Sequence, residues 1–448
     1  MISTPKYNQV NSKDLSWGRL SSSPQALTQY SWKNQNLSPL NPQLTAYLPH
    51  GMGRSYGDSC LNQNGLLISS KGLRRFISFN NSTGVLEAEA GITFADILKF
   101  AVPRGWFLPV TPGTKFITLG GAIANDVHGK NHHSAGTFGG HVHELTLIRS
   151  DGSQLLCNSQ VNNDLLKATI GGLGLTGFIT QAKIQLKKII SPWMDIESYR
   201  FRNFDEFCEL SQIKSITHEY TVAWIDALAQ GEKLGQGLLL AANHYQLPHQ
   251  DGSDPFRSVQ PKTTIPFNFP SYALNPLSVQ CFNWLYINQQ TRHKKTFIQH
   301  YDAYFYPLDA IGQWNRIYGK QGFYQYQCAI PYQPLLMKKI IQLIAQSSGG
   351  SFLTVLKEFG EITSPGMLSF PIPGFTLALD FPNKGMRTVR LLNELDDLVL
   401  EAGGRVYPAK DARMSAQAFQ QFYPNWQEFA HYIDPKFTSD FWRRVSRK

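Results

Sequence analysis

Short segments in which apolar and polar residues alternate recur along the chain, and this is the pattern of half-buried β-strands. Residues 65–70 (GLLISS) and 84–90 (GVLEAEA) are early examples. Residues 93–102 (TFADILKFAV) instead place apolar side chains at helical spacing. Thr93 can cap this helix, and Pro103 ends it. The chain therefore begins as a mixture of strands and short helices.

The residue composition changes after about residue 191. Before that point, Asp151-Gly152 separates two apolar segments and predicts a β-hairpin. Beyond it aromatic residues become dense, and strand-like segments recur at 220–225 and 237–242. Residues 386–402 predict an amphipathic helix that stops at two glycines. The sequence thus predicts an α+β protein with a change of domain near residue 191.

The segment 247–276 is rich in proline and shows little periodicity. Loops of this length inside a compact domain tend to cover binding sites. We expect a mobile loop here, and a disordered insertion without function is the alternative.

Length and charge narrow the function classes. The 448 residues suffice for two or three domains. The formal net charge of +10 raises the question of nucleic-acid binding. The basic residues are spread along the chain rather than clustered, so we expect no nucleic-acid partner. An anionic small substrate or an anionic membrane surface fits the charge equally well.

The cysteines and the N-terminal residues indicate the cellular compartment. The five cysteines are far apart and form no C-x-x-C pair, so we expect free thiols and no zinc site. The N-terminal residues lack the apolar core of a signal peptide, and no run of about 18 apolar residues could span a bilayer. We therefore expect a cytoplasmic protein that is not integral to the membrane.

Two glycine-rich segments differ in what they predict. Gly172, Gly174 and Gly177 satisfy G-x-G-x-x-G, but an alternating, strand-like segment follows where a dinucleotide-binding turn requires a helix. Residues 49–58 (PHGMGRSYGD) are more informative, because successive free N–H groups in such a loop can bind a diphosphate. An ordinary glycine turn with a surface arginine is the alternative.

A third segment, residues 119–133 (LGGAIANDVHGKNHH), keeps side chains small where a flat ring could lie on the backbone. Its histidines suggest a metal, but the cluster contains no thiolate and lacks the H-E-x-x-H pattern. We expect no metal site.

These segments together resemble the FAD-binding oxidoreductases of the vanillyl-alcohol oxidase type, and among them the oxidase subunits of decaprenylphosphoryl-ribose 2'-epimerase. The motifs occur in the family's order and cover most of the chain: GMGRSYGDS, LPVTPGTKFITLGGAIANDVHGKNHHSAGTFGGHV, GGLGLTGFITQAKIQL, YQYQ, LKEFG, LSFPIPGFTLALDFP and GGRVYPAKDAR. The resemblance implies a PCMH-type FAD-binding domain in residues 1–190. It also implies a substrate domain built on an antiparallel sheet with flanking helices in residues 191–404, and a segment 405–448 that returns to the FAD domain.

The resemblance implies a non-covalently bound FAD. Its binding residues would be Gly51, Met52, Gly53, Arg54, Ser55, Tyr56, Gly57, Asp58 and Ser59 around the diphosphate, and Gly113, Thr118, Leu119, Gly120, Gly121, Asn125, His128, Gly177 and Tyr407 around the flavin. A buried histidine bonded only to backbone is the alternative for His128.

The implied reaction is oxidation of the 2'-hydroxyl of a polyprenylphosphoryl-β-D-ribose to a ketone, with FAD accepting the hydride. Lys410 and His128 would be the catalytic residues, with Lys410 acting as a base or as a positioning group. The substrate-binding residues would be Lys130, Gln327, Lys357 and Asp380. A buried Lys357–Asp380 pair is also compatible with a purely structural role.

The resemblance further implies a separate NAD(P)H-dependent reductase as partner and contact with membrane lipid. The chain departs from the family pattern at one position. By the resemblance, Ala378 stands where mycobacterial members have a cysteine that nitroaromatic inhibitors capture. Two alternatives remain open: an FAD-dependent oxidase of free sugars or aldonolactones, and a basic protein that binds phosphorylated polymers without redox chemistry.

Overall fold

The computed structural model describes residues 7–32, 46–247, 261, 263–270, 274–347 and 351–447. Its strands are β1 (Asn8–Asn11), β2 (Pro24–Gln29), β3 (Tyr47–His50), β4 (Leu66–Ser69), β5 (Phe76–Asn80), β6 (Val85–Glu89), β7 (Trp106–Phe107), β8 (Val142–Ile148), β9 (Gln154–Asn158), β10 (Phe178–Gln185), β11 (Lys187–Lys188), β12 (Trp193–Phe201), β13 (Tyr220–Ile225), β14 (Gly237–His244), β15 (Thr263–Thr264), β16 (Lys294–His300), β17 (Ile311–Gly312), β18 (Phe323–Ile330), β19 (Thr354–Phe359), β20 (Gly374–Pro382) and β21 (Arg405–Val406).

The α-helices are α1 (Phe94–Ala101), α2 (Leu119–Ala124), α3 (His132–Ala135), α4 (Asn163–Thr169), α5 (Phe204–Thr217), α6 (Pro276–Asn288), α7 (Tyr301–Phe305), α8 (Pro334–Gln346), α9 (Met386–Glu401), α10 (Ala416–Phe422), α11 (Trp426–Ala430) and α12 (Asp440–Val445). The predicted α+β class is confirmed.

The described residues up to 190, here called the first region, contain two large sheets. One has the order β1-β2-β4-β3, with β2 and β3 both parallel to β4. The other is antiparallel and has the order β5-β6-β10-β8-β9. The hairpin predicted at Asp151-Gly152 is its β8–β9 pair. Thr93 caps α1, as the sequence predicts, and it also forms a capping box with Asp96.

A third, eight-stranded antiparallel sheet has the order β16-β12-β14-β13-β19-β20-β18-β21. Because side chains alternate across a strand, each strand supplies two different surfaces. On β20, Leu377 and Leu379 belong to the main apolar core, whereas Ala378 and Asp380 face a large cavity. Helices α5, α8 and α9 cover the core face of this sheet.

The last segment connects the two parts. Strand β21 extends the eight-stranded sheet beside β18. Farther on, Asp434 forms an ion pair with Arg149, and Arg444 forms one with Asp58. The predicted domain limits at 190 and 404 stay predictions.

Only part of the predicted loop 247–276 lies in the described residues. There β15 pairs with β17, and the Arg316 side chain donates to the carbonyl groups of Ile265 and Pro266. The remaining positions, 248–260, 262 and 271–273, lie outside the described residues, so the expected mobility stays a prediction.

Candidate functional site

A cavity of about 1340 Å³ lies between the first region and the open face of the eight-stranded sheet. The glycine loops of the first region form one wall, and alternate residues of β13, β14, β18, β19 and β20 form the other. The cavity therefore collects side chains that are far apart in sequence.

The loop after β3 presents its backbone to the cavity. In the described part of the chain, the N–H groups of Met52 to Ser55 have no hydrogen-bond acceptor. The Arg54 guanidinium lies 4.2 Å from the Trp17 ring, and its own Nη1 donates to the Met52 carbonyl. The buried Ser59 hydroxyl, on the same wall, also has no partner among the residues that the structure describes. This wall is suited to an anionic ligand.

A side chain from a distant part of the chain, Asp309, holds the turn at residues 111–115 in place. The Asp309 carboxylate accepts hydrogen bonds from the Thr114 hydroxyl at 2.7 Å and the Lys115 backbone N–H at 2.9 Å. Thr118 caps α2 through its hydroxyl. A Cβ built on Gly113 would meet no atom within 4 Å, so the cavity extends directly over this residue.

His128 lies at the centre of the site with both ring nitrogens engaged. The Gln327 side-chain amide lies 2.9 Å from Nε2, and the Lys357 Nζ lies 3.3 Å from Nδ1. Burial and the nearby Lys357 hold the pKa of His128 well below its usual range. Because the Gln327 amide donates to Nε2, the proton of the neutral ring lies on Nδ1, and only a neutral Lys357 amine can accept it.

Three buried lysines line the same cavity: Lys130, Lys357 and Lys410. Burial lowers the pKa of each to about 7. The Lys130 ammonium donates to the Tyr304 carbonyl and lies over the Tyr304 ring. These amines can change protonation state near neutral pH, which suits proton transfer and the binding of an anion.

Asp380 lines the same cavity and is fully buried. Burial raises the pKa of its carboxyl to about 7, although it accepts hydrogen bonds from the Gln325 amide at 2.8 Å and the Tyr318 hydroxyl at 3.2 Å. Its charge opposes the fall in the pKa of Lys410, whose Nζ lies 3.9 Å from the centre of the Tyr56 ring. Lys357 contacts His128 and the Gly129 carbonyl rather than Asp380, so the Lys357–Asp380 tie is not formed.

The open face of the sheet changes character from one side to the other. Near β18 and β20 it carries Gln325, Gln327 and Asp380, whereas near β13 and β14 it carries Trp224 and Leu240. The site is thus a polar chamber continued by an arm with apolar and aromatic walls, the apolar arm: Val222, Trp224, Leu238, Leu240, Phe282, Tyr286, Phe297, Phe352 and Val355.

Comparison with known proteins identifies the chain. Residues 41–158 match the FAD binding domain family. The decaprenylphosphoryl-β-D-ribose oxidase of Mycolicibacterium smegmatis is 37% identical over 411 residues, which cover 89% of this chain and 88% of that protein. The chain belongs to the decaprenylphosphoryl-β-D-ribose oxidase family. Like the family, it is an FAD-dependent oxidoreductase.

Other relatives define how far the similarity extends. An uncharacterised protein of Streptomyces coelicolor is 30% identical over 371 residues, covering 79% of this chain and all of that protein. Cytokinin dehydrogenase 4 of Arabidopsis thaliana is 31% identical over 137 residues, 30% of this chain and 26% of its own length. The similarity to this protein is thus confined to less than a third of either chain.

The walls of the cavity fit FAD. The free N–H groups at Met52 to Ser55 and the unpaired Ser59 hydroxyl are donors for a diphosphate, and the open space over Gly113 can accept a flat ring. Most of the predicted cofactor residues border the cavity: Gly51, Met52, Gly53, Arg54, Ser55, Tyr56, Ser59, Gly113, Thr118, Gly120, Gly121, Asn125, His128, Gly177 and Tyr407.

Three predicted cofactor residues do not line the cavity, and their part in FAD binding stays a prediction. A Cβ on Gly57 would lie 1.6 Å from the Asp411 carbonyl oxygen, so this glycine permits a close backbone approach. Asp58 forms an ion pair with Arg444. Leu119 is fully buried in the core of the first region, because it points away from the cavity on α2.

The predicted substrate residues Lys130, Gln327, Lys357 and Asp380 all reach the cavity, as does Lys410. Tyr318 and Gln325, which donate hydrogen bonds to Asp380, were not predicted from the sequence. Strand alternation would have placed Gln325 on the same face as Gln327. No local signal marks Tyr318, which lies in a short 3₁₀ turn.

Proposed function

We propose that this enzyme oxidises the 2'-hydroxyl of a polyprenylphosphoryl-β-D-ribose to the 2'-ketone, the first half of an epimerisation that yields an arabinose lipid for the cell wall. The observation that carries the proposal is the shape of the cavity, in which a polar chamber beside the FAD loops opens into an apolar arm. A sugar phosphate fits the chamber, and a prenyl chain fits the arm.

Bound FAD accepts the hydride in such an oxidation. Lys410 and His128 are the catalytic residues in this proposal. Lys410, with its pKa lowered to about 7, holds the reacting hydroxyl and accepts its proton. Lys357 and Gln327 keep the neutral His128 ring in one orientation through its two nitrogens.

Lys130, Gln327, Lys357 and Asp380 bind the sugar phosphate in this proposal. Lys130 supplies a cation against the phosphate in a buried site where charge interactions are stronger than in water. Lys357, a neutral amine while it accepts the His128 proton, donates a hydrogen bond to the phosphate. Asp380, held by Gln325 and Tyr318, accepts hydrogen bonds from sugar hydroxyls. Tyr407 packs 4.6 Å from Phe370 and donates to the Asn125 carbonyl, which keeps the flavin wall in place.

The proposal includes a partner and a place in the cell. A ketone product requires a separate reductase, and an NAD(P)H-dependent enzyme supplies the hydride of the second half. The described residues contain no helix long and apolar enough to cross a membrane. We place the enzyme in the cytoplasm, in peripheral contact with the inner membrane where a polyprenyl substrate resides.

An anaerobic visible spectrum of the purified holoenzyme tests the proposal. The flavin absorption should bleach on addition of a polyprenylphosphoryl ribose and should remain on addition of free ribose or gulonolactone. Bleaching by the free sugars alone would assign the enzyme to the sugar and aldonolactone oxidases. A protein that binds no FAD after reconstitution would contradict the FAD-dependent assignment itself.

A further inference from the structure

Helix α6 turns an apolar stripe toward solvent. Its sequence, PLSVQCFNWLYIN, contains no charged residue. Leu277, Trp284 and Leu285 lie on one side of the helix and are 76%, 64% and 54% exposed. A helix with apolar residues on all sides is normally buried, so this face lacks, among the described residues, the partner that its composition requires.

The other side of α6 is firmly attached to the protein. Val279, Asn283 and Ile287 are buried, and the Asn283 amide donates to the Asp226 carboxylate at 2.6 Å. Asn275 caps the helix and forms a capping box with Ser278. The exposed stripe therefore belongs to an ordered helix and is not the result of fraying.

This helix also forms the outer end of the apolar arm. Phe282 and Tyr286 line the cavity from α6. Tyr286 packs 4.6 Å from Trp224, and Phe282 packs 5.5 Å from Phe352. The exposed stripe and the wall of the arm are thus two sides of one helix.

Positive charge follows directly after the helix. Arg292 and His293 lie between α6 and the edge strand β16, and Lys294 and Lys295 begin that strand; all four are exposed. Lys294 is paired with Glu197, but Arg292 and Lys295 have no carboxylate partner among the described residues. An apolar stripe beside free cations matches the edge of a bilayer with anionic head groups.

We propose that α6, with Arg292 and Lys295, docks on the surface of an anionic lipid bilayer. Leu277, Trp284 and Leu285 enter the head-group region, and the two cations meet the lipid phosphates. This inference rests on the proposed function, because the arm beside α6 then receives the prenyl chain directly from the membrane. A second copy of the chain or another protein could cover the same stripe without involving lipid, and the test separates these occupants.

Vesicle flotation of the FAD-loaded enzyme tests the docking surface. Vesicles of phosphatidylcholine alone and of phosphatidylcholine with phosphatidylglycerol are compared. The wild type should float with the anionic vesicles. The double variant Trp284→Glu/Leu285→Glu should lower partitioning at least about tenfold, because it removes two apolar side chains from the stripe and adds two negative charges beside anionic lipid. Arg292→Gln should lower it about fivefold, and only on anionic vesicles.

The matched control is Ile213→Glu/Ile216→Glu on α5. These isoleucines are 59% and 83% exposed, but α5 covers the opposite face of the sheet. The control should float like the wild type. Flavin spectrum and melting temperature, measured for every variant, show that each protein is folded and loaded with FAD.

The outcomes separate the docking proposal from the proposed function. Equal flotation of the α6 double variant and the α5 control variant overturns the proposed docking surface. Absence of flotation of the wild type also overturns it. A change of oligomeric state caused by the α6 variant, without wild-type flotation, assigns the stripe to a contact between copies. Flotation needs no substrate, so a wild type that floats but does not oxidise polyprenylphosphoryl ribose leaves the surface standing and removes the proposed function.

Discussion

Removing the Arg444 side chain should loosen the FAD loop and the segment around Lys410 together. The guanidinium contacts both Asp58 oxygens, at 2.7 and 3.0 Å, and one Asp411 oxygen at 2.9 Å. It therefore connects α12 to two segments that border the cavity. Arg444→Met would leave two carboxylates close together without a cation.

The magnitude follows from this geometry. Breaking a buried ion pair costs about 3–5 kcal/mol. Because a quarter of the Arg444 side chain is exposed, we expect about 3 kcal/mol, at the low end of that range. With an unfolding entropy of about 2.1 cal/mol/K per residue, the melting temperature of a chain of 448 residues should fall by about 3 °C.

The loss should depend on pH. Burial already raises the pKa of Asp58 above its ordinary value of 3.8, and removal of the cation raises it further. A carboxyl with a raised pKa in the folded state loses stability as pH rises through the window between the unfolded and folded values. The variant should therefore be closer to the wild type at pH 5 than at pH 8.

Thermal melting followed by flavin fluorescence, at both pH values and with excess FAD, measures the effect. Arg202→Met is the control, because the Arg202 side chain is 86% exposed and its ion pair with Glu206 should contribute less than about 1 kcal/mol. The double variant Asp58→Asn/Arg444→Met should regain part of the loss. A melting temperature of Arg444→Met equal to that of Arg202→Met at pH 8 would refute the reasoning.

Three further predictions concern the cavity. Asp380→Asn removes the charge that supports the ammonium form of Lys410, so the pKa of Lys410 should fall and the acidic limb of the kcat/KM profile should move to lower pH. An unchanged profile would show that the charge of Asp380 does not act on Lys410. Gly113→Ala should weaken FAD binding about 5- to 100-fold by titration with an unchanged apoprotein melting temperature, because its Cβ meets no protein atom and enters the cavity. Ala378→Cys should gain a covalent adduct with a nitroaromatic inhibitor after turnover, detected by intact mass, whereas the wild type should show none.

Much of the fold was accessible from the sequence because its signals are local. The capping box at Thr93, the Asp151-Gly152 turn and the strand after Gly177 depend on residues within a few positions of one another. The same applies to the glycine loop at residues 51–55, whose free N–H groups are a property of its own backbone. The resemblance then supplied Lys357 and Lys410, which strand and helix patterns alone do not distinguish from surface lysines.

The tertiary structure decided which side chains share the cavity. Gly57, Asp58 and Leu119 lie in motifs that resemble FAD-binding segments, yet packing against Asp411, Arg444 and the core turns them away from it. Tyr318 reaches Asp380 across 62 positions of the chain, which no periodicity records. The change from polar to apolar side chains across the open face of the eight-stranded sheet depends on the order in which distant strands pair. That order is set by the packing of the whole sheet. The sequence thus determined the local elements and the cofactor loop, and long-range strand pairing determined the pocket.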